Sequence, residues 1–356
     1  MVNSVEQRTP LRFIDLFCGL GGFRIAAQIA CQERDMNPQW VFASDIDVDA
    51  QAIYQANFGE RPAGDITQVN ESEIPDHDIL LAGFPCQAFS ICGDRRGFAD
   101  VRGTLFFDIA RILTVKRPPA FILENVKQLR THDKGRTLGR IVEILANLGY
   151  QVEWRILNAL NFGLPQKRER IFIVGFRDTC PYRWPEGGLP MRPLLELLEP
   201  EVDNFYYASA KIRQNRLQSV TSRFAYEELT LWHENKSGNI GIHPYSCAMR
   251  AGASYNYLLV NGKRRLTERE MLRLQGFPDE YCIKGGYSAM RKLVGNSVAI
   301  PCVSAVAGAV LDALRGRSIP TRIPQPLVSE QSLQSTIPFR TPSVISLGAV
   351  SSQYAE

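Results

Sequence analysis

The chain contains 356 residues, of which 45% are hydrophobic and 22% charged, values typical of a soluble globular protein with one large domain and a smaller one. A net charge of +4 is too small to indicate a nucleic-acid partner by itself, and no run approaches 18 uncharged apolar residues, so we expect no membrane span. The first ten residues lack an apolar signal core, and the eight cysteines show neither CxxC nor metal-ligand spacing, which predicts a cytoplasmic protein with reduced thiols and no metal.

The first 180 residues alternate short apolar runs with amphipathic helical patterns, as an α/β sheet requires. Right-handed crossovers between such strands predict a doubly wound, mostly parallel sheet. The predicted strands are 12–18, 39–45, 77–84, 120–126 and 171–177, and the predicted helices are 23–34, 105–117 and 137–150.

The character of the chain changes after a Pro/Gly-rich linker that follows Cys180. We expect a large domain at 1–183, completed by an apolar helical segment at 289–316, and a smaller domain at 184–288. Residues 205–265 carry nine Lys or Arg against three Glu, a moderate electrostatic footprint for a phosphate backbone. The Ser- and Pro-rich segment 317–356 is expected to be a disordered tail.

Three elements in the first part of the chain are typical of a nucleotide-like ligand site. The first strand runs into FCGLGGF (17–23), where glycines let the backbone approach a ligand at a helix N-terminus. Asp45 ends the second strand, where an acidic group suits ribose hydroxyls, and Asp65 follows in position to meet an adenine amine. The glycine spacing is GxGG, which does not match the dinucleotide fingerprint GxGxxG.

Three further elements carry reactive or charged side chains at the ends of predicted strands. Cys86 lies in GFPCQAFS (83–90), at a turn after a strand, which favours a nucleophile over a core thiol. Glu124 follows an apolar strand, so desolvation should raise its pKa and let it donate a proton near neutral pH. Arg168 and Arg170 in QKRER alternate to one face, where they can hold a carboxylate, a base carbonyl or a phosphate.

Together these motifs resemble the bacterial cytosine-5 DNA methyltransferases of the restriction-modification type. DLFCGLGGF, GDIT, GFPCQAFS, RGTLFFDIARI, ENV, QKRERIFIVG, RRLTEREMLRLQGFP and GNSV occur in the family's order and cover roughly residues 11–315. The resemblance implies the S-adenosylmethionine-dependent methyltransferase fold, S-adenosylmethionine as cofactor without a metal, and double-stranded DNA as substrate. A monomer is expected, with a cognate restriction endonuclease as a separate companion.

The resemblance also implies roles for individual residues. Cys86 would attack carbon 6 of the target cytosine, Glu124 would act at ring nitrogen 3, and Arg170, next to Arg168, would hold the exocyclic oxygen. Such groups suit the chemistry, because adding a thiolate makes carbon 5 nucleophilic and the charge that develops on the ring needs a proton donor and a cation. The cofactor pocket would be formed by Phe17, Leu20, Gly22, Asp45, Ile46, Asp65, Ile66, Pro85, Leu105, Asn296, Ser297 and Val298.

Two segments are expected to contact DNA. The glycine- and arginine-containing loop 87–102 resembles the family's closing loop, with Gln87, Arg95, Arg96 and Arg102 as candidate contacts; its Cys92 replaces a small hydroxyl residue of many relatives. In the small domain the family's usual Thr-Leu pair is replaced by Ala248-Met249, and Arg250 is the best candidate for a base contact, with a phosphate contact as the alternative.

Three other interpretations keep parts of this pattern. An RNA (tRNA) cytosine-5 methyltransferase would share the chemistry, but the sizeable segment between QKRER and RRLTERE favours duplex readout. A catalytically silent DNA-binding regulator on the same fold is opposed by intact Cys86, Glu124 and Arg170. An NAD-dependent oxidoreductase is opposed by the GxGG spacing and the PCQ and ENV motifs.

Overall fold

The computed structural model describes residues 10–85, 105–220 and 229–315, and its centre is a six-stranded sheet. The strands of this sheet are β1 (Leu11–Leu16), β2 (Pro38–Ser44), β3 (Ile79–Gly83), β4 (Ala120–Val126), β5 (Gln151–Asn158) and β7 (Glu169–Phe176). They are arranged in the order β2–β1–β3–β4–β7–β5. Strands β2, β1, β3 and β4 run parallel to one another, whereas β7 is antiparallel to both β4 and β5. The predicted mostly parallel sheet is confirmed.

Continuous burial explains why the central strands are mostly apolar. Every residue from Ala120 to Asn125 is buried, since helices cover both faces of a doubly wound sheet. The strand β5 was not among the predicted elements. Its residues Glu153, Trp154 and Arg155 are exposed at the edge of the sheet, so it lacks the apolar run that marks the central strands.

Two apolar clusters fill the two faces of the sheet. The first includes apolar side chains of α1 and α8, and the second includes those of α3 and α4. The helices of this region are α1 (Gly22–Gln32), α2 (Val48–Phe58), α3 (Leu105–Lys116), α4 (Arg136–Asn147), α7 (Tyr287–Asn296) and α8 (Ile300–Arg315). The late helix α8 lies against the early helix α1, where Arg34 forms an ion pair with Asp312 at 2.8 Å.

Residues 184–288, called the small region below, form a second set of short elements. They include the strands β8 (Leu231–Glu234), β9 (Ile240–His243), β10 (Ser246–Cys247) and β11 (Leu258–Val260) and the helices α5 (Ala210–Gln218) and α6 (Glu268–Gln275). Strands β11, β8 and β9 form an antiparallel sheet, while β10 pairs with β6 (Gln166–Lys167). Side chains such as Leu231, Leu258 and Met271 join the same apolar cluster as α1 and α8, so the two regions share one core.

The C-terminal helices correct one expectation drawn from hydropathy. The segment Tyr287–Arg315 is long and apolar enough to span a membrane by length and composition, contrary to the sequence-based expectation of no such run. About two thirds of its most apolar window, 67%, is buried inside the protein, as in a core helix. The expected tail at 317–356 lies outside the described residues.

Candidate active site

A cavity of about 530 Å³ opens at the carboxyl ends of the four parallel strands. Phe17 follows β1, Asp45 follows β2, Pro85 follows β3, and Glu124 lies near the end of β4. Ligand sites of open α/β sheets form at this edge, because the connecting loops diverge there. The far wall comes from the end of α7 and the residues after it, Asn296, Ser297 and Val298.

Glycines in the turn between β1 and α1 bring the backbone to the cavity. Gly19 and Gly21 have φ values of +52° and +74°, in the left-handed region that favours glycine. A Cβ atom at Gly22 would lie 2.9 Å from Val298 and 3.0 Å from the Ser297 hydroxyl. Gly22 therefore allows the start of α1 and the 297–298 wall to approach each other.

Asp45 is held in place by two backbone amides. The Gly19 N–H donates to one carboxylate oxygen and the Asp47 N–H to the other, both at 2.8 Å. Burial raises the pKa of Asp45, although these two hydrogen bonds oppose the shift. Its carboxylate thus ties the glycine turn to the end of β2 while facing the cavity. Asp65 also lines the cavity, and its carboxylate accepts a hydrogen bond from the Thr67 N–H at 3.0 Å.

Glu124 and Arg170 form a buried ion pair on the β4 side of the cavity. The Arg170 Nε lies 3.0 Å from Glu124 Oε1, since Arg170 pairs with Val126, two positions along β4 from Glu124, and the two side chains therefore lie on the same face of the sheet. Burial raises the pKa of Glu124, and the charges of Arg170 and Arg168 act against that shift. The predicted desolvated carboxyl group after the apolar strand is therefore confirmed. Its proton affinity is set by the balance between desolvation and two cations.

Arg168 contacts backbone carbonyls rather than a carboxylate. Its guanidinium donates to Gly295 O at 3.3 Å, to Met249 O at 3.5 Å and to Ser297 O. It is 2% exposed, and burial, followed by the charge of Arg170, lowers its pKa. Arg168 lines the cavity, but its hydrogen bonds fix the opposite wall.

The amide of Asn125 connects β4 to the segment that leads to Cys86. Its Nδ2 donates to Phe84 O at 2.9 Å, and its Oδ1 accepts from the Val126 N–H at 2.8 Å. Asn125 is 2% exposed, so these bonds are shielded from water. The second residue of the ENV motif therefore holds the end of β3 in register with Glu124.

Almost the whole predicted cofactor set lines the one cavity. Eleven residues do so, namely Phe17, Gly22, Asp45, Ile46, Asp65, Ile66, Pro85, Leu105, Asn296, Ser297 and Val298. Leu20 is the exception, because its side chain is 1% exposed within the apolar cluster and its carbonyl accepts a hydrogen bond from the Tyr281 hydroxyl at 2.7 Å.

The described lining of the cavity does not include every predicted residue. Cys86, Gln87, Cys92, Arg95, Arg96 and Arg102 fall outside the described residues. Arg250 is not among the lining residues of the cavity; its guanidinium stacks over the Tyr257 ring at 4.8 Å.

Sequence reasoning missed an ion pair at the rim of the cavity. Lys292 of α7 approaches Asp47, the N-cap of α2, with 2.5 Å between Nζ and Oδ2. Both residues line the cavity, and the pairing lowers the pKa of Asp47, although burial acts against it, and raises that of Lys292. A separation of 245 residues leaves no sequence pattern from which this contact could be read.

Comparison with known proteins agrees with this geometry. The family model described as C-5 cytosine-specific DNA methylase matches residues 11–312. Type II methyltransferase M.NgoBI of Neisseria gonorrhoeae is 55% identical, covering 82% of this chain and 90% of the relative. Type II methyltransferase M.HaeII of Haemophilus aegyptius is 52% identical, covering 85% and 93%.

A solved structure shows the same fold at much lower identity. The S. pombe Dnmt2 methyltransferase superimposes with a TM-score of 0.65 at 21% identity, covering 85% of this chain and 99% of the other. The family match spans both the sheet region and the small region, and the two relatives align over nearly their whole length. The chain therefore belongs to the C-5 cytosine-specific DNA methylases and is an enzyme of that type.

Proposed function

We propose that this enzyme transfers a methyl group from S-adenosylmethionine to carbon 5 of a cytosine within a short specific sequence of duplex DNA. The observation that carries the proposal is the sharing of one cavity by two groups of residues. The predicted cofactor residues line one part of it, and the buried Glu124–Arg170 pair lines another. A volume of about 530 Å³ lies in the range of sites that enclose a small molecule.

The residues present fit S-adenosylmethionine, the methyl donor that the family implies. Asp45 presents a carboxylate suited to ribose hydroxyls, and Asp65 and Ile46 flank the position for the adenine. Ile46 lines the cavity and is 71% exposed, so its apolar surface is available to pack against a flat ring. Bound there, the cofactor supplies an electrophilic methyl group. The departure from the predicted set is Leu20, which contributes its place in the turn rather than its side chain.

The reaction proposed for the protein residues begins with the Cys86 thiolate. Its sulfur forms a bond to carbon 6 of cytosine, the electron pair of the 5,6 double bond shifts to the bond between carbons 4 and 5, and the pair of the double bond between carbon 4 and nitrogen 3 goes to nitrogen 3, which takes a proton from Glu124. Arg170 faces the exocyclic oxygen and stabilises negative charge on it. Carbon 5 then takes the methyl group, whose bond to the donor sulfur breaks with the electron pair left on that sulfur, and nitrogen 3 returns its proton to Glu124. Loss of the carbon 5 proton to water restores the double bond and expels the thiolate.

The two arginines of QKRER divide their tasks in this proposal. Arg170 is adjacent to Glu124 and points its charge toward the ring site, so we assign it the contact with cytosine. Arg168 adds a second positive charge that lowers the proton affinity of Glu124. The guanidinium of Arg168 donates its hydrogen bonds to the backbone carbonyls of Met249, Gly295 and Ser297. We therefore assign it an electrostatic role rather than a contact with the base.

DNA access requires that the target base leave the helix, because a stacked cytosine cannot expose carbon 6 to a thiol inside a cavity. We assign closure over the flipped base to the segment with Gln87, Arg95, Arg96 and Arg102, and sequence readout to a small domain at 184–288. That region carries guanidinium groups stacked on aromatic rings: Arg250 over Tyr257, Arg265 over Tyr287 at 5.2 Å, and Arg291 of the adjoining α7 over Tyr255 at 4.5 Å. Stacked arginines keep their charge available to phosphates.

The setting we propose is a restriction-modification system, in which the enzyme acts as a cytoplasmic monomer and protects host DNA from a separate endonuclease. The names of the two relatives, both type II methyltransferases, support this setting. The description of the matching family model, a DNA methylase, favours DNA over the alternative RNA substrate. The Dnmt2 likeness concerns the fold alone at 21% identity and does not bear on the substrate.

The test is methylation of defined nucleic acids by the purified protein. Tritiated S-adenosylmethionine is supplied with unmethylated bacterial duplex DNA or with unmodified transfer RNA, and the product DNA is sequenced for 5-methylcytosine. We expect label in DNA at one short recurring sequence. Label in RNA alone would establish the alternative substrate, and label in neither would favour the silent regulator.

A further inference from the structure

The candidate DNA-reading segment and the cofactor wall meet at a close backbone contact. A Cβ atom at Gly295 would lie 2.6 Å from the Ala251 nitrogen and 2.9 Å from the Arg250 carbonyl carbon. Gly295 is followed directly by Asn296, Ser297 and Val298, which line the cavity. Only glycine permits two backbones to approach so closely, so the segment around Arg250 rests directly on the chain that forms the cofactor wall.

Arg168 is hydrogen-bonded to both of these segments. Its guanidinium donates to Met249 O on one side and to Gly295 O and Ser297 O on the other. Among the described residues, Glu124 is the acidic group whose charge acts on Arg168, and Glu124 is already ion-paired with Arg170. A buried cation that is met by carbonyl dipoles is costly to hold, and it loses these bonds if either segment moves.

A second arginine ties α7 to the segment one turn away. The Arg291 Nη1 donates to Ala253 O at 2.7 Å, and its guanidinium covers the Tyr255 ring. The segment Met249–Ala253 is therefore attached to α7 at both ends, by Arg168 with Gly295 and by Arg291. Lys292, the next residue of α7, forms the ion pair with Asp47 at the rim of the cavity.

We infer that Arg168 and Arg291 are positioning residues that couple DNA binding on the Met249–Ala253 segment to cofactor binding in the cavity. The inference rests on the proposed function and deepens it. Duplex that docks on the segment presses it onto Gly295, and a cofactor that contacts Asn296 and Ser297 fixes the same loop from the other side. Each ligand then removes freedom that the other would otherwise have to remove, which makes their binding mutually favourable.

The coupling can be measured as a thermodynamic cycle with S-adenosylhomocysteine, which cannot donate a methyl group. Its Kd is determined by calorimetry for the full chain, alone and with a saturating duplex that contains the methylated sequence. We expect the duplex to tighten binding by about fivefold or more in the wild type, and by less than about twofold in Arg168→Lys and in Arg291→Gln. The matched control is Arg177→Lys, at the other end of β7, where the guanidinium also donates to a backbone carbonyl, that of Arg117.

The two variants protect the test against simple loss of folding, because they break different bonds of the same attachment. A merely structural role would weaken both ligands separately and leave the ratio of the two Kd values unchanged, which would overturn the inference. The inference would also be overturned if the wild type binds both ligands but its S-adenosylhomocysteine Kd is the same with and without duplex. That result would leave the proposed function standing. Failure of the wild type to bind duplex at all would overturn both the inference and the proposed function.

Discussion

The sheet region and the small region are stabilised in different ways, although they share one apolar cluster. In the sheet region, strands such as β4 are buried along almost their whole length, and the sequence shows them as mostly apolar runs. In the small region the strands span at most four residues. There, buried polar groups join distant parts of the chain. Arg216, for example, is 4% exposed and donates to Glu234 and to Asn256 O. The first kind of order can be read from sequence, whereas the second cannot.

If the sheet region alone performs the chemistry, the largest effect should come from the nucleophile. Cys86→Ser should lower methyl transfer by about 10³-fold or more, because a hydroxyl at neutral pH cannot replace the thiolate. Tritiated methyl incorporation and S-adenosylmethionine affinity are measured on one preparation, and the affinity should hardly change. Cys282→Ser is the matched control, since that thiol is exposed and free. Activity within tenfold of the wild type would eliminate the covalent mechanism.

Replacing the proton donor should have the next largest effect. Glu124→Gln should slow the single-turnover rate by about 10²–10⁴-fold, the range for general acid catalysis, with little loss of duplex affinity. Burial raises the pKa of Glu124, so its protonated form persists above the ordinary carboxyl range. The wild-type rate should therefore fall as pH rises through this raised pKa, and the variant should lack that fall. A defect confined to duplex binding would make Glu124 structural.

The predictability of the site follows the same division between regions. The ends of β1 to β4 could be located from apolar runs followed by glycine or acidic residues, and eleven predicted cofactor residues indeed line one cavity. Leu20 was predicted with them, but its buried side chain is not among the residues that line the cavity, because within a glycine turn the sequence does not tell which side chain turns inward. The tasks of Arg168 and Arg170 were not separable either, since alternation along a strand cannot say which one meets Glu124 and which one meets carbonyls 81 to 129 residues away.

Stability should respond most to the polar network of the small region. Glu270 is fully buried, and its carboxylate accepts from Arg264 Nη1 and Nη2, both at 2.8 Å, and caps α6 through the Thr267 N–H. Glu270→Gln leaves the Arg264 charge buried without its partner, so we expect a loss of about 3–5 kcal/mol in the free energy of unfolding. Urea denaturation measures it. The control Asp279→Asn removes an exposed carboxylate just after the same helix, and an equal loss there would contradict the prediction.

The rim of the cavity should give a smaller effect on ligand affinity. Lys292→Met removes the ion pair with Asp47 that joins α7 to α2 across the cofactor site. Because Lys292 is half exposed, water screens the pair, and we expect S-adenosylmethionine Kd to rise about two- to fivefold. The rise should shrink with added salt. Lys284→Met, an exposed lysine outside the cavity lining, serves as control, and an equal change in both variants would assign the effect to net charge.

The smallest effect on the free energy of unfolding is expected for an exposed ion pair of the sheet region, because apolar packing already holds the two helices together. Asp312 of α8 accepts from two nitrogen atoms of Arg34, at 2.8 Å each, but its side chain is 55% exposed. Asp312→Asn keeps the shape and removes the charge, so the free energy of unfolding at neutral pH should fall by about 0.2–1 kcal/mol. Arg34 lowers the pKa of Asp312 in the folded state.

A lowered folded pKa fixes the direction of the pH dependence. The contribution of Asp312 is present above the ordinary carboxyl pKa and is lost as pH falls through the lowered value in the folded protein. Urea unfolding of the wild type and the variant should therefore give different free energies at neutral pH and converging ones in acid. A loss as large as that of Glu270→Gln would mean that α8 is held to α1 by this charge. The apolar contacts of Val303, Val306 and Val310, all fully buried, would then contribute less than their burial implies.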